Sequence, residues 1–158
     1  MQAASGATRR MRSEADRTPR MQQIATSLMF VGDHYGKAEE AMELYVALFD
    51  DARILAVERY GPGEAESGIR QARFLLAGRE YRAMDSGHGH AFTFTPAISL
   101  FVDFDDDAQL DAVFAGLSEH GAILMPLQAY DFSAKFAWIQ DRFGVTWQLN
   151  LATGQQTR

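Results

Sequence analysis

Three groups of residues in this 158-residue chain have the type and spacing to do chemistry. The first is the histidine pair of "DSGHGH", His88 and His90, with Asp85 three residues before. Imidazole and carboxylate can chelate a metal, but the glycines around His88 mark an exposed loop, where paired histidines are ordinarily solvated. The second is Gln148 in "DRFGVTWQLN", where a polar row (Thr146, Gln148, Asn150) runs opposite an apolar row (Val145, Trp147, Leu149). Side chains of a strand alternate between faces, so one row packs on a core and the other meets water or a cavity. The third is Arg82, which stands four residues beyond Gly78 as Gln148 stands four beyond Gly144. Two readings are open for it: a cation facing the same cavity, favouring an anionic ligand, or an arginine on the outer side of an edge strand.

Other chemistries lack their residues. The chain has no cysteine, which removes disulfides, thiol catalysis, Fe–S clusters and cysteine-ligated zinc. G-x-S-x-G, Walker and H-E-x-x-H patterns are absent. His34 and His120 fall in a loop and at a helix end, and Met84, Trp138 and Trp147 read as core, with Trp138 able to border a cavity. A formal charge of −6 argues against nucleic acid as partner. Apolar runs such as "AISLFV" are far shorter than the ~20 residues of a spanning helix, so no membrane partner and a cytoplasmic location are expected.

These residues need elements to position them. Residues 1–20 hold five arginines and no apolar stretch; they read as a disordered extension, with Glu14 and Asp16 interrupting what would otherwise be a basic arm or targeting peptide. Then "IATSLMFVG" reads as a strand and "AEEAMELYVALF" as a helix, with Ala38, Ala41, Met42, Tyr45, Leu48 and Phe49 at helical spacing and Glu39 and Glu40 in the first turn. The strands "RILAVERY", "IRQARFLLA" and "EYRAMDS" follow, the last two joined at Gly78. The order then repeats. "AISLFVDF" is a strand, and "AQLDAVFAGLSEH" is a helix capped from the Asp105–Asp107 run and stopped by Gly121. "AILMPLQAY", "KFAWIQ" and "VTWQLNL" are strands, the last two joined by a type I turn from Asp141 to Gly144. The result is an α+β fold of two βαβββ modules, 21–92 and 93–152, with a tail at 153–158. Each helix covers one face of a curved mixed sheet and leaves the other as a cup.

The duplicated pattern resembles the vicinal oxygen chelate superfamily of glyoxalase I, bleomycin-resistance proteins and extradiol dioxygenases. Within it, "AEEAMELYVALFDDARI", "YGPGE", "FTFTPAISLFVD" and above all "WIQDRFGVTWQL" are similar to the PhnB-like family, over about residues 22–151. The chain departs from that pattern in the longer loop "GDHYGK" and in Phe136-Ala137, where Cys-Gly is common. The family is sometimes labelled a demethylubiquinone methyltransferase. No G-x-G-x-x-G turn occurs here to hold an adenosyl cofactor, so that activity is not expected.

The resemblance implies where ligands would sit. Metal-dependent relatives carry His, Glu or Gln on the cup face of the first and last strand of each module. With Leu28 and Phe30 toward the helices, Ala25, Ser27 and Met29 face the cup; by the same parity Ile98, Leu100 and Val102 face the helices, and Ala97, Ser99 and Phe101 face in. The positions resembling histidine ligands are then alanines, and Gln148 stands nearly alone where relatives carry a glutamate. One amide oxygen does not hold a transition metal. The expectation is a protein that binds a small organic molecule with no catalytic metal and no cofactor, through Ser27, Met29, Ser99, Phe101 and Gln148, joined by Arg82 if it faces inward. No residue is assigned a catalytic role. The alternative is a metal-dependent lyase, isomerase or dioxygenase. The resemblance also implies a homodimer.

Overall fold

The structure is a computed structural model and describes residues 22–152. The expected extension at 1–20 and tail at 153–158 lie outside the described residues. Eight strands and two α-helices follow in the order read from the pattern: β1 (Thr26–Phe30), α1 (Ala38–Leu48), β2 (Arg53–Arg59), β3 (Ile69–Leu76), β4 (Arg79–Asp85), β5 (Ser99–Phe104), α2 (Asp107–Ser118), β6 (Ala122–Tyr130), β7 (Ser133–Gln140) and β8 (Thr146–Leu151). A short 3-10 turn, Gly32–His34, precedes α1. The strands form two four-stranded sheets, β1-β4-β3-β2 and β5-β8-β7-β6. In each, the first strand runs parallel to the last and the other pairs are antiparallel. This is the paired βαβββ α+β architecture, with helices outside a cup.

Each helix forms where apolar residues recur every three or four positions and a carboxylate meets its N-terminus. In α1, Ala38, Ala41, Met42 and Tyr45 are fully buried, and burying the larger of these side chains contributes about 1.5–3 kcal/mol apiece. Lys37, at the N-cap of α1, offers no side-chain acceptor. Asp85, at the end of β4, does so instead, its Oδ1 accepting from Gly36 N (2.9 Å) and Ala38 N (3.1 Å) and its Oδ2 from Ile69 N (2.8 Å). That carboxylate satisfies orphan donors and sits at the positive end of the helix dipole. In α2, Asp106 caps, accepting from Ala108 N and Gln109 N.

The turn chemistry agrees with the pattern at two places and differs at a third. Ala77 and Gly78 both have positive φ (48° and 73°), the two-residue hairpin turn whose twist matches the strands it joins. Between β7 and β8, Gly144 N donates to Asp141 O, closing the expected turn. At the end of α2, however, His120 and not Gly121 takes the left-handed conformation (φ 59°). Gly121 is needed for a different reason: a Cβ there would lie 2.1 Å from the carbonyl oxygen of Gln140.

One core serves both modules. Phe30, Met42, Tyr45, Phe74, Leu110, Ile139, Trp147 and Leu149 belong to a single buried cluster. Tyr45 of α1 and Phe49 at its C-cap lie against Trp147 of β8, with ring centroids 5.0 and 5.4 Å from it. The helices approach closely where Gly116 of α2 admits Leu48 of α1. Ile98, expected to face a helix, is 76 % exposed and precedes the strand, because its N–H closes a turn onto Thr95 O (3.3 Å); its carbonyl oxygen accepts from Thr146 Oγ1 (2.8 Å).

Candidate functional site on the concave face

Strand parity and register assemble the site. In the first sheet Leu28 pairs with Ala83, both buried in the core, so the neighbouring pairs, Ser27 with Arg82 and Met29 with Met84, point to the opposite face. In the second sheet Leu149 pairs with Val102 and Ala137 on the helix side. Phe101, Gln148 and Trp138 form a row across β5, β8 and β7 on the other side, with Ser99, Thr146 and Gln140 forming the next row. The six residues singled out from sequence thus divide between the sheets: Ser27, Met29 and Arg82 on one, Ser99, Phe101 and Gln148 on the other. Arg82 faces inward, not off an edge.

The polar groups of the second sheet are not equivalent. Thr146 Oγ1 donates its single proton to Ile98 O, so Ser99 Oγ must donate to Thr146 Oγ1 (2.9 Å), and Trp138 Nε1 donates to Ser99 Oγ (3.1 Å). That chain fixes both hydroxyl protons within the protein. Asn150 donates to Asp103 Oδ1 and accepts from Ser133 Oγ. Gln148 is the member of the polar row whose amide has no protein partner among the described residues. It is half-buried, with Phe101, 56 % exposed, on one side and Trp138 on the other. Sequence reasoning left out Phe136 and Tyr130, whose rings lie 6.3 and 5.9 Å along from Phe101 and from each other in turn. Their signal was the aromatic spacing in "AYDFSAKF".

On the first sheet a hollow of about 530 Å³ is lined by Gln23, Ala25, Ser27, Arg70, Gln71, Arg82, Ala83 and Met84. A smaller cleft of about 210 Å³ lies where β1 meets β5, bounded by Ser27, Leu28, Phe94, Ile98, Leu100 and Thr146 among others. Arg73 grips Glu80 with two 2.8 Å bonds, and this hydrogen-bonded partner holds the Glu80 carboxyl down at about 2. Behind the last strand, Asp141 is buried and accepts four hydrogen bonds: Phe143 N (2.9 Å) and Val145 N (3.1 Å) on Oδ1, Tyr45 OH (2.6 Å) and Trp147 Nε1 (2.9 Å) on Oδ2. Burial raises its pKa, while the donors pull in the opposite direction. The phenol of Tyr45 is pushed well above its ordinary range, by burial first and the Asp141 charge second, and so remains a donor.

The histidine loop is accounted for differently. Asp85 is occupied by three backbone N–H groups, His88 Nε2 lies 3.2 Å from Glu66 Oε1, and His90 Nε2 meets Ser86 Oγ at 2.8 Å. The Tyr60 phenol donates to the Asp85 carbonyl oxygen (3.0 Å), and the neighbouring Glu66 carboxylate, ahead of burial, holds the phenol's pKa up at about 12. Among the described residues no three His, Asp or Glu side chains are grouped as a metal site.

The family model described as 3-demethylubiquinone-9 3-methyltransferase matches residues 22–150. The chain belongs to that family. A PhnB protein from Bacillus cereus is 47% identical, over 83% of this chain and 100% of that one, with a TM-score of 0.78. Two more distant structures share the fold. A glyoxalase/bleomycin resistance protein from Albidiferax ferrireducens T118 is 15% identical over 81% of this chain and 98% of its own (TM-score 0.51). The fosfomycin resistance protein FosX from Mesorhizobium loti is 13% identical over 86% and 97% (TM-score 0.55). No curated protein matches. The chain is thus a PhnB-like protein that shares the fold of the glyoxalase/bleomycin resistance protein. In this PhnB-like protein no helix among the described residues is long and apolar enough to cross a membrane.

Proposed function

We propose that this PhnB-like protein binds a small organic molecule in its cup, without a catalytic metal, and works as a cytoplasmic homodimer. The observation that carries the reading is Gln148: its amide is left without a protein partner between two aromatic side chains, one of them exposed. An unpaired amide beside apolar rings suits a ligand with both a polar group and a hydrophobic body. The cup positions that superfamily resemblance would give to metal ligands hold Ala25 and Ala97, and their neighbours Ser27, Met29, Ser99 and Phe101 include no imidazole or carboxylate. In support of the dimer, Phe132, Ile123 and Leu124 of the β6–β7 hairpin are exposed apolar residues suited to an interface.

N-phenyl-1-naphthylamine, an uncharged aromatic dye, tests the binding reading. Saturable 1:1 binding, read by energy transfer from tryptophan and weakened severalfold by Phe101→Ala or Gln148→Leu, is the expected result. Binding that is absent, or indifferent to both substitutions, refutes it. Elemental analysis after purification without chelators addresses the metal: stoichiometric Fe, Mn, Ni or Zn that is lost on Gln148→Leu would replace this reading with a metal-dependent enzyme. Light scattering that returned the monomer mass at micromolar concentration would remove the dimer.

A further inference from the structure

We propose that the bound molecule is an organic oxyanion, a carboxylate, phosphonate or sulfonate, whose charged end is held by Arg82 in the hollow on the first sheet. This rests on the binding reading above and adds the chemical class of the ligand.

The parallel register sets Ser27 opposite Arg82, and the antiparallel register sets Arg73 on its other side. Three acids stand near: Glu58, Glu64 and Glu80. Each is turned to another arginine. Glu80 is clamped by Nε and Nη2 of Arg73 and also accepts from Gln23 Nε2 (3.1 Å). Glu64 pairs with Arg70, whose guanidinium also lies over the Tyr60 ring, and Glu58 Oε1 lies 3.3 Å from Arg70 Nε. Arg82 is left over. Its Nε is shut off from water without a hydrogen-bond partner among the described residues, and the Glu80 oxygen nearest it is 3.7 Å away, beyond hydrogen-bond reach.

The rest of the guanidinium is reachable, the Arg82 side chain being 43 % exposed, and its two terminal nitrogens present a planar fork that matches the two oxygens of a carboxylate or phosphonate edge. The hollow has room for one. Its roughly 530 Å³ is lined by two arginines and no acid; Ser27 and Gln71 add neutral donors, while Ala25 and Met84 supply an apolar wall. That combination places the charge of the ligand at Arg82 and lets its body run toward the seam, where Ser27 also borders the smaller, largely apolar cleft.

The test compares two dyes with the same aromatic body: 1-anilinonaphthalene-8-sulfonate, which carries an oxyanion, and N-phenyl-1-naphthylamine, which does not. At low salt the sulfonate is expected to bind roughly tenfold more tightly, the size of one charge-assisted hydrogen-bonded pair. Arg82→Gln should erase that preference, the two dyes then binding alike. Arg82→Lys should retain part of it, and Arg53→Gln, which removes the same charge outside the hollow, should retain all of it. Benzoate or phenylphosphonate, but not benzamide, should displace the sulfonate, and the better competitor distinguishes a planar from a tetrahedral oxyanion. Equal binding of the two dyes, or a preference that survives Arg82→Gln, overturns the oxyanion proposal while leaving the binding reading intact. Failure of both dyes to bind overturns both.

Discussion

Replacing Asp141 with asparagine isolates the buried carboxylate that ties the last strand to the first helix. The amide oxygen can keep the local bonds from Phe143 N and Val145 N, which leaves the amide nitrogen facing Tyr45 OH and Trp147 Nε1. The phenol can rotate and accept; the indole N–H cannot. A buried donor left unpaired costs about 1–3 kcal/mol, and each charge-assisted bond reduced to a neutral one loses roughly a further 1 kcal/mol. Removing a buried ion offsets part of this, since burial already raises the Asp141 pKa. The net loss should be about 2–4 kcal/mol, read as a shift of the urea midpoint at pH 7 or a fall in Tm on the order of 10 °C. Tyr45→Phe removes one donor and strands nothing, so it should cost less, about 1–2 kcal/mol. A loss below about 0.5 kcal/mol for Asp141→Asn, or a larger one for Tyr45→Phe, would refute the assignment of Asp141 as the tie.

Three further outcomes are expected. Gly121→Ala forces a methyl into the Gln140 carbonyl and should destabilise by about 1–3 kcal/mol in the same urea assay, whereas alanine at Gly89, where no atom lies within 4 Å, should be close to neutral. Glu80 has its folded pKa depressed to about 2 from 4.5 by Arg73, so its contribution is present above pH 4.5 and is lost as pH falls through 2; Arg73→Met should flatten the Tm profile between these values, and an unchanged slope would count against the pair. Asp85→Ala strips the N-terminus of α1 of its acceptor and should lower the helical circular dichroism midpoint in urea, by more than the ~1 kcal/mol of a solvent-exposed cap because Asp85 and Ala38 are buried.

The elements were legible because local rules suffice for them: period two in "VTWQLNL", period 3.6 in "AEEAMELYVALF", Ala-Gly for a two-residue turn. Parity then carried Ser27, Met29, Phe101 and Gln148 to the correct face, and the parallel pairing of β1 with β4 settled the orientation of Arg82. What stayed illegible depended on distant partners. Asp141 read as the first residue of a turn, since nothing local announces a tyrosine 96 residues earlier that will donate to it. Asp85 read as a neighbour of histidines, although its three donors come from residues 36, 38 and 69. Nothing local told that the Ser99 hydroxyl would donate its proton to Thr146. Ile98 kept its parity on paper and lost its strand in space.

The shared core also has a consequence for biosynthesis. Although the chain is a duplication, its first module cannot finish alone: Tyr45 and Phe49 are covered by Trp147, and the Tyr45 hydroxyl waits for Asp141. At about 5–20 residues per second, a ribosome needs on the order of 5–20 s to supply those intervening 96 residues, and longer before the last strand clears the exit tunnel. Throughout that interval the nascent first half presents an aromatic surface with no partner, in a fold dominated by pairings between distant strands, which close slowly. The C-terminal strand is therefore the latch of the whole molecule, and premature termination anywhere before residue 147 yields a chain that displays its own core to every other nascent copy.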